Sequence, residues 1–282
     1  MLVVKPSHLL QTPHYDTREL PAVVSGEAGA SLQPRQWFAP HRATLEGNVE
    51  VDLTFFVACY NEEKNICQTL ENLCQVMSAL PFTFEIIVVD DASKDRSAEL
   101  VQQFQESHPD LALHLLRNPK NRGLSRNFVE AAFLGRGRCY KLVCGDNVDD
   151  KASLQATLLQ IGHADLIVPY HLEIQGRAWS RRMLSSTYTR IVNLLSGQSL
   201  RYYNGCAVYR RADVMRWHAR TSGFGFQAEL ITRLLIEGVS YVQVPIVGKE
   251  RPDGKSTALR LRNWLSVGRT LFSIFMQRLW GR

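Results

Sequence analysis

From Val49 onward the chain alternates between short apolar runs and longer segments in which apolar residues recur every three to four positions. Residues 51–58 read as a strand. Asn61 stands where it can cap a helix with Glu62 and Glu63 in its first turn. That helix carries Ile66, Leu70, Leu73 and Met77 on one face and ends before Pro81. Residues 84–89 are almost wholly apolar, as a parallel strand covered on both faces must be. Asp95 can cap a helix running to about Ser107. A strand over 111–116, a helix over 124–135, a strand over 139–144, a helix over 151–161 and a strand over 165–168 continue the series. Such a strand–helix repeat, about 30 residues long, predicts an open, mostly parallel sheet flanked by helices.

Beyond Tyr170 the repeat weakens. A basic helical stretch covers 177–195, a strand-like run 205–209 and a helix 228–237. The strand over 239–247 contains Pro245, which predicts an edge position. Residues 1–48 hold five of the eleven prolines and no sustained period. They read as an extended arm, docked in places by Leu9, Leu10, Trp37 and Phe38, or as a partly disordered one. The predicted organisation is therefore an arm over 1–48, an α/β domain over 49–258, and a basic amphipathic helix over 259–282.

In open α/β sheets ligands bind beyond the carboxyl ends of the strands. Here those ends carry Tyr60-Asn61-Glu62-Glu63, Asp90-Asp91-Ala92-Ser93, the Asn118–Gly123 loop, and Gly145-Asp146-Asn147-Val148-Asp149-Asp150. Four polar strand ends in register point to a site. The last turn offers hard oxygen donors that suit Mg2+ or Mn2+ bridging a diphosphate, although Asp149 or Asp150 could also simply cap the next helix. Asp91 can accept hydrogen bonds from a ribose or a base, or serve as a turn residue. Arg251-Pro252-Asp253-Gly254-Lys255-Ser256 could clamp phosphates or be a basic hairpin loop. Its spacing is not that of a P-loop, and no G-x-G-x-x-G follows the first strand, which disfavours a dinucleotide-binding fold.

Composition changes the picture little: 282 residues, 45% hydrophobic and 21% charged, are ordinary for a globular protein. No uninterrupted apolar run approaches the ~18 residues of a membrane span. Lys5 and Pro6 interrupt the N-terminal apolar run, which is unlike a secretory signal. These features predict a cytoplasmic protein. Its six cysteines form no C-x-x-C pair and read as buried thiols.

Charge is more informative. Residues 1–171 hold 15 basic and 21 acidic residues, net −6; residues 172–220 hold 9 and 2, net +7; residues 249–282 hold 8 and 2, net +6. The C-terminal half thus offers positive charge to an anionic partner. Nucleic acid is disfavoured, because the acidic strand ends would repel its phosphates. The tail mixes arginines with Trp264, Phe272, Phe275 and Trp280, which suits peripheral contact with the inner face of an anionic membrane. Alternatively it is a helix that covers the core.

These residues, in this order, resemble the family 2 glycosyltransferases of the GT-A fold, most of all the dolichyl-phosphate mannosyltransferase and bacterial polyprenyl-phosphate glycosyltransferase branch. The likeness spans about residues 51–270. It is carried by Ala58-Cys-Tyr-Asn-Glu-Glu63, Val88-Val-Asp-Asp-Ala-Ser-Lys-Asp95, the Asn118–Gly123 loop, Leu142-Val-Cys-Gly-Asp-Asn147 and Arg251-Pro-Asp-Gly-Lys-Ser256. The resemblance implies an inverting glycosyltransferase that takes a nucleoside-diphosphate sugar and passes the sugar to a polyprenyl phosphate or a glycan. It implies a nucleotide-sugar site at Ala58, Tyr60, Glu62, Asp91, Arg122, Asp146 and Asn147. Mg2+ or Mn2+ would sit at Asp146 and Asn147, and phosphates of donor or acceptor at Arg251, Lys255 and Ser256. If the acceptor is a hydroxyl, Asp149 or Glu229 would take its proton. In two places the chain departs from the family pattern. Asp-x-Asp has become Gly145-Asp146-Asn147, and Ala92 stands where glycine is usual. The first departure keeps open an inactive nucleotide-sugar-binding or scaffold protein of the same fold.

Overall fold

The computed structural model describes residues 24–25, 51–175, 179–216, 223, 225–249 and 261–280. In chain order the elements are β1 (Val24–Ser25), β2 (Leu53–Cys59), α1 (Ile66–Ser78), β3 (Phe84–Asp90), α2 (Ser97–Ser107), β4 (Leu113–Arg117), α3 (Leu124–Leu134) and β5 (Cys139–Cys144). There follow α4 (Lys151–Leu158), β6 (Leu166–Gln175), α5 (Trp179–Ser196), β7 (Val208–Arg210), α6 (Arg211–Arg216), α7 (Phe226–Ile236), β8 (Tyr241–Lys249) and α8 (Leu261–Trp280).

The strands form one sheet in the order β1-β8-β6-β7-β5-β2-β3-β4. The segment β5-β2-β3-β4 is parallel throughout. β7 runs antiparallel between β5 and β6, and β6 pairs with β8 in parallel. The pleat divides each strand between two cores. Leu53, Phe55 and Val57 of β2 face a layer made with Ile66, Leu70 and Leu73 of α1, Val101 of α2 and Leu158 of α4. Phe56 faces the other way, into a layer with Phe128 of α3, Val192 of α5, Leu230 of α7 and Ile274 of α8. The result is the helix–sheet–helix sandwich that the alternating pattern predicts.

Three expectations shift. Asn61 does not cap α1. Its backbone is left-handed (φ 57°), its N–H donates to Ser93 Oγ (2.9 Å) and its Oδ1 accepts from Lys94 N (2.8 Å), so it ties the β2 turn to the β3 turn. The helix begins four residues past Glu62, at Ile66, behind Asn65. β8 is not an edge strand: β1 pairs with Val242 and Gln243, and Pro245 lies beyond that short pairing, where its missing N–H breaks no bond to β1. β6 extends to Gln175, because its ladder with β8 continues through a register shift between His171 and Glu173. Among the described residues no helix is long and apolar enough to cross a membrane.

Candidate functional site

The chain builds β2, β3 and β4 outward in one direction, then returns to lay β5 on the opposite flank of β2. Strand order reverses at β2, and the crevice beyond its carboxyl end is where such sheets receive ligands. Glu62 N donates to Ser97 Oγ (2.7 Å), and Gly145 N to Ala58 O (2.9 Å), so the ends of β2, β3 and β5 are fastened together. Gly145 is required there: a Cβ would lie 2.9 Å from Ala58 O and 3.2 Å from Ile66 Cδ1. Half-exposed Tyr60 stands at the rim.

Asp91 is buried and anchors the 118–123 loop. Its Oδ1 accepts from Asn118 Nδ2 (2.8 Å) and Arg122 N (2.8 Å), and its Oδ2 from Gly123 N (2.9 Å). Burial alone would raise the carboxyl. The donors from Arg122 N, Asn127, Asn118 and Gly123 N outweigh it and hold Asp91 below the ordinary aspartate value. The Arg122 guanidinium turns instead to Glu130, at 2.5 Å. Ala92 sits at φ 66°, which explains why glycine is usual at this place: a Cβ is disfavoured there.

The acidic turn after β5 is built differently. Asp150 caps α4 by accepting from Ser153 N (3.2 Å), while Asp149 does not. Asp149 Oδ2 is buried without a hydrogen-bond partner. Burial raises its carboxyl, Lys141 opposes this and the neighbouring Asp146 adds to it; the net shift is upward. Asp146 Oδ1 accepts from Val148 N (3.3 Å). Asn147, at φ 57°, accepts at Oδ1 from Asn72 Nδ2 (2.7 Å), so that oxygen already has a donor. Among the described residues no three His, Cys, Asp or Glu side chains gather tightly enough to hold a metal by themselves. The Asp149 oxygen without a hydrogen-bond partner, with Asp146 nearby, would nevertheless suit a hard divalent cation.

Glu229 is placed elsewhere. It is fully buried in the first turn of α7, and its Oε1 accepts from Ser273 Oγ of α8 (2.6 Å). It therefore ties α7 to α8. Arg251, Lys255 and Ser256 lie outside the described residues. One component escaped the sequence reading: Lys141, buried in β5, whose Nζ donates to Cys206 O beneath the acidic turn. Its signal was a lone lysine inside an otherwise apolar strand. The Cys144 thiol, hydrogen-bonded to Cys206, is pushed well above the usual range by that bond, by burial and by the nearby Asp146 and Asp149.

Comparison with known proteins agrees with this arrangement. The profile of Glycosyl transferase family 2 matches residues 54–217. The chain is 26% identical over 226 residues to a dolichyl-phosphate β-glucosyltransferase of Trichomonas vaginalis, covering 73% of this chain and 66% of that protein. It is 28% identical over 216 residues to an undecaprenyl-phosphate mannosyltransferase of Micrococcus luteus, covering 71% of this chain and 84% of that one. It spans only 32% of a second Trichomonas dolichyl-phosphate β-glucosyltransferase. Among solved structures, a mannosyltransferase from Pyrobaculum calidifontis in complex with GDP-Man and Mn2+ superposes with TM-score 0.57 at 19% identity, covering 81% of this chain and 70% of that one. Mannosyl-3-phosphoglycerate synthase from Rubrobacter xylanophilus gives 0.61 at 14% identity, covering 81% and 74%. At such identities the structural likeness establishes the GT-A fold. With the profile spanning β2 through α6 and the strand-end motifs lying where that fold puts its crevice, the chain belongs to glycosyl transferase family 2.

Proposed function

We propose that this chain transfers a sugar from a nucleoside-diphosphate sugar to a polyprenyl phosphate by single displacement with inversion. The observation that carries the reading is the fastening of three polar strand ends around one crevice at the reversal of strand order, with Asp91 pinning one wall and the Asp146–Asp149 turn forming the other. The relatives named for dolichyl- and undecaprenyl-phosphate acceptors support the choice of acceptor.

In this reading the β2 end, from Ala58 through Tyr60 to Glu62, receives the nucleoside. The Asp91-held loop shapes its far side, and Arg122 stays fixed by Glu130. Asp146 and Asp149 would hold Mg2+ or Mn2+, with Asn147 orienting the turn through Asn72. A bound cation supplies electrostatic stabilisation of the departing diphosphate. Arg251, Lys255 and Ser256 would meet the phosphates. An acceptor phosphate oxygen attacks the anomeric carbon, the bond to the diphosphate breaks, and the nucleoside diphosphate leaves. A phosphate acceptor is already anionic and needs no base. A glycan hydroxyl would need one, a role open to Asp149 only where it does not hold the cation.

A binding protein of the same fold without transfer activity is the second reading, favoured by the engagement of Asn147 with Asn72. The primary reading is tested by thermal unfolding with UDP, GDP and their sugars in Mg2+ or Mn2+. A ligand at about 100 times its Kd adds about 2.7 kcal/mol, or roughly 5 °C or more for a domain this size. No shift with any nucleotide would end both readings. A shift without turnover of any nucleotide sugar would favour the second.

A further inference from the structure

Lys141 is the only buried basic side chain among the described residues. It lies within β5, opposite Phe55 of β2 and Val208 of β7, and the pleat puts it on the same face as Cys139 and Val143. All four of these residues belong to an apolar core. An aliphatic side chain would pack there as well and would avoid the cost of desolvating an ammonium. The charge must therefore serve something other than packing.

Two groups meet it. Its Nζ donates to Cys206 O, and its charge acts on Asp149, where it opposes the effect of burial. Topology explains why Cys206 is within reach. β7 runs antiparallel to β5, so the residues just before Val208 stand beside the carboxyl end of β5 and the acidic turn that follows it. The hydrogen bond between the Cys144 and Cys206 thiols joins the same two segments a second time. Gly205 seats this segment against β6: a Cβ there would lie 2.4 Å from Pro169 O.

A neutral donor could satisfy Cys206 O, but only a cation can offset Asp149. The like charges of Asp146 and Asp149 disfavour one another, and the buried Asp149 Oδ2 has no hydrogen-bond partner. We propose that Lys141 is a positioning residue: its buried ammonium holds the acidic turn and the 201–206 segment in place while the site is empty, so that a cation arriving with a diphosphate meets a formed turn. Lys141 acts through Asp149 and Cys206 and touches neither donor nor acceptor. Its benefit to transfer rests on the reading of this turn as a wall of the donor crevice, whereas the holding itself is a property of the ligand-free protein.

The test is therefore hydrogen exchange of the ligand-free full chain, read by mass spectrometry on peptides covering 145–149 and 200–206. Lys141→Met keeps the length of the side chain and removes its charge and its donors. Exchange in both peptides should rise about tenfold or more, the scale of leaving a buried charge without its partner. Exchange in the Asp91-held loop, 118–123, should match the parent. Adding Asp149→Asn to Lys141→Met should return 145–149 to near the parent rate, because the uncompensated charge is gone. It should leave 200–206 fast, because Cys206 O still lacks its donor. A loss of packing alone would not separate the two peptides in this way. Unchanged exchange at 145–149 in Lys141→Met overturns the proposal, as does a double variant no slower there than the single one. If Lys141→Met does not fold, a folded double variant supports the proposal, and an unfolded one overturns it, since packing is then what was lost. The expected pattern in a chain that binds no nucleotide would support the holding role and end only the donor-site reading.

Discussion

Asp91→Asn isolates what the carboxylate does, since it keeps the shape and removes the charge and one acceptor. In the parent, Arg122 N, Gly123 N and Asn118 Nδ2 all donate to this one side chain at 2.8–2.9 Å. With the amide oxygen at the Oδ1 position, Arg122 and Asn118 keep a weaker, neutral acceptor. The new NH2 then meets Gly123 N, donor against donor. A hydrogen bond to a charged group contributes about 1.5–3 kcal/mol, and a buried donor left unpaired costs about 1–3 kcal/mol. The loss should be about 2–4 kcal/mol, within the 5–15 kcal/mol typical of a domain, so the variant still folds. Urea denaturation followed by far-UV circular dichroism reads the change as a lower midpoint at constant slope. Amide exchange at Arg122 and Gly123 should accelerate, and nucleotide affinity should fall at least tenfold (about 1.4 kcal/mol), because the loop forms a wall of the crevice. If Asp91→Asn lies within about 0.5 kcal/mol of the parent, the range of an ordinary surface change, and exchange at Gly123 is unaltered, the clamp is not what the geometry says.

Other outcomes follow from the same contacts. Ala92→Gly removes a Cβ from a left-handed backbone, a relief of about 1–2 kcal/mol. Against this stands the greater freedom of the unfolded chain, about 0.4–1 kcal/mol; a net gain of about 0.5–1 kcal/mol should appear in the same denaturation assay, and a loss would refute the strain. Asp91 and Glu85 are both held below their ordinary values. For Glu85, burial is outweighed by Arg136 N, Thr54 Oγ1 and the Arg136 guanidinium. A depressed folded pKa stabilises above the unfolded value and loses that contribution as pH falls through the folded one. Stability should therefore decline below about pH 4, and less steeply in Glu85→Gln; identical acid limbs would contradict this. Mg2+ or Mn2+ should tighten nucleotide binding at least tenfold in the parent (about 1.4 kcal/mol) and leave Asp146→Ala unaffected, as calorimetry with and without EDTA would show.

The parallel half of the fold was legible because β2, β3 and β5 are buried on both faces and read as apolar runs between turn residues, from 51–58 to 139–144. Beyond Tyr170 the signal blurs. β7 has three residues and runs antiparallel, and β6 owes its length to a ladder with β8 that no local pattern encodes. The strand ends were legible as polar interruptions, but their division of labour was not. Both Asp149 and Asp150 could cap α4 by spacing, and only tertiary placement assigns the cap to Asp150 and leaves Asp149 Oδ2 without a partner. Glu229 shows the same limit. A carboxylate in a first helical turn looks available from sequence, and it is α8, some forty residues later, that buries it against Ser273.

Transfer itself is the most direct measurement. The full chain, a radiolabelled UDP- or GDP-sugar and a short-chain polyprenyl phosphate in Mg2+ or Mn2+ should yield label that partitions into butanol, with one nucleoside diphosphate released per sugar moved. Asp146→Ala should abolish both signals. No organic-phase label with any donor, from protein shown by thermal shift to bind that donor, would contradict the account.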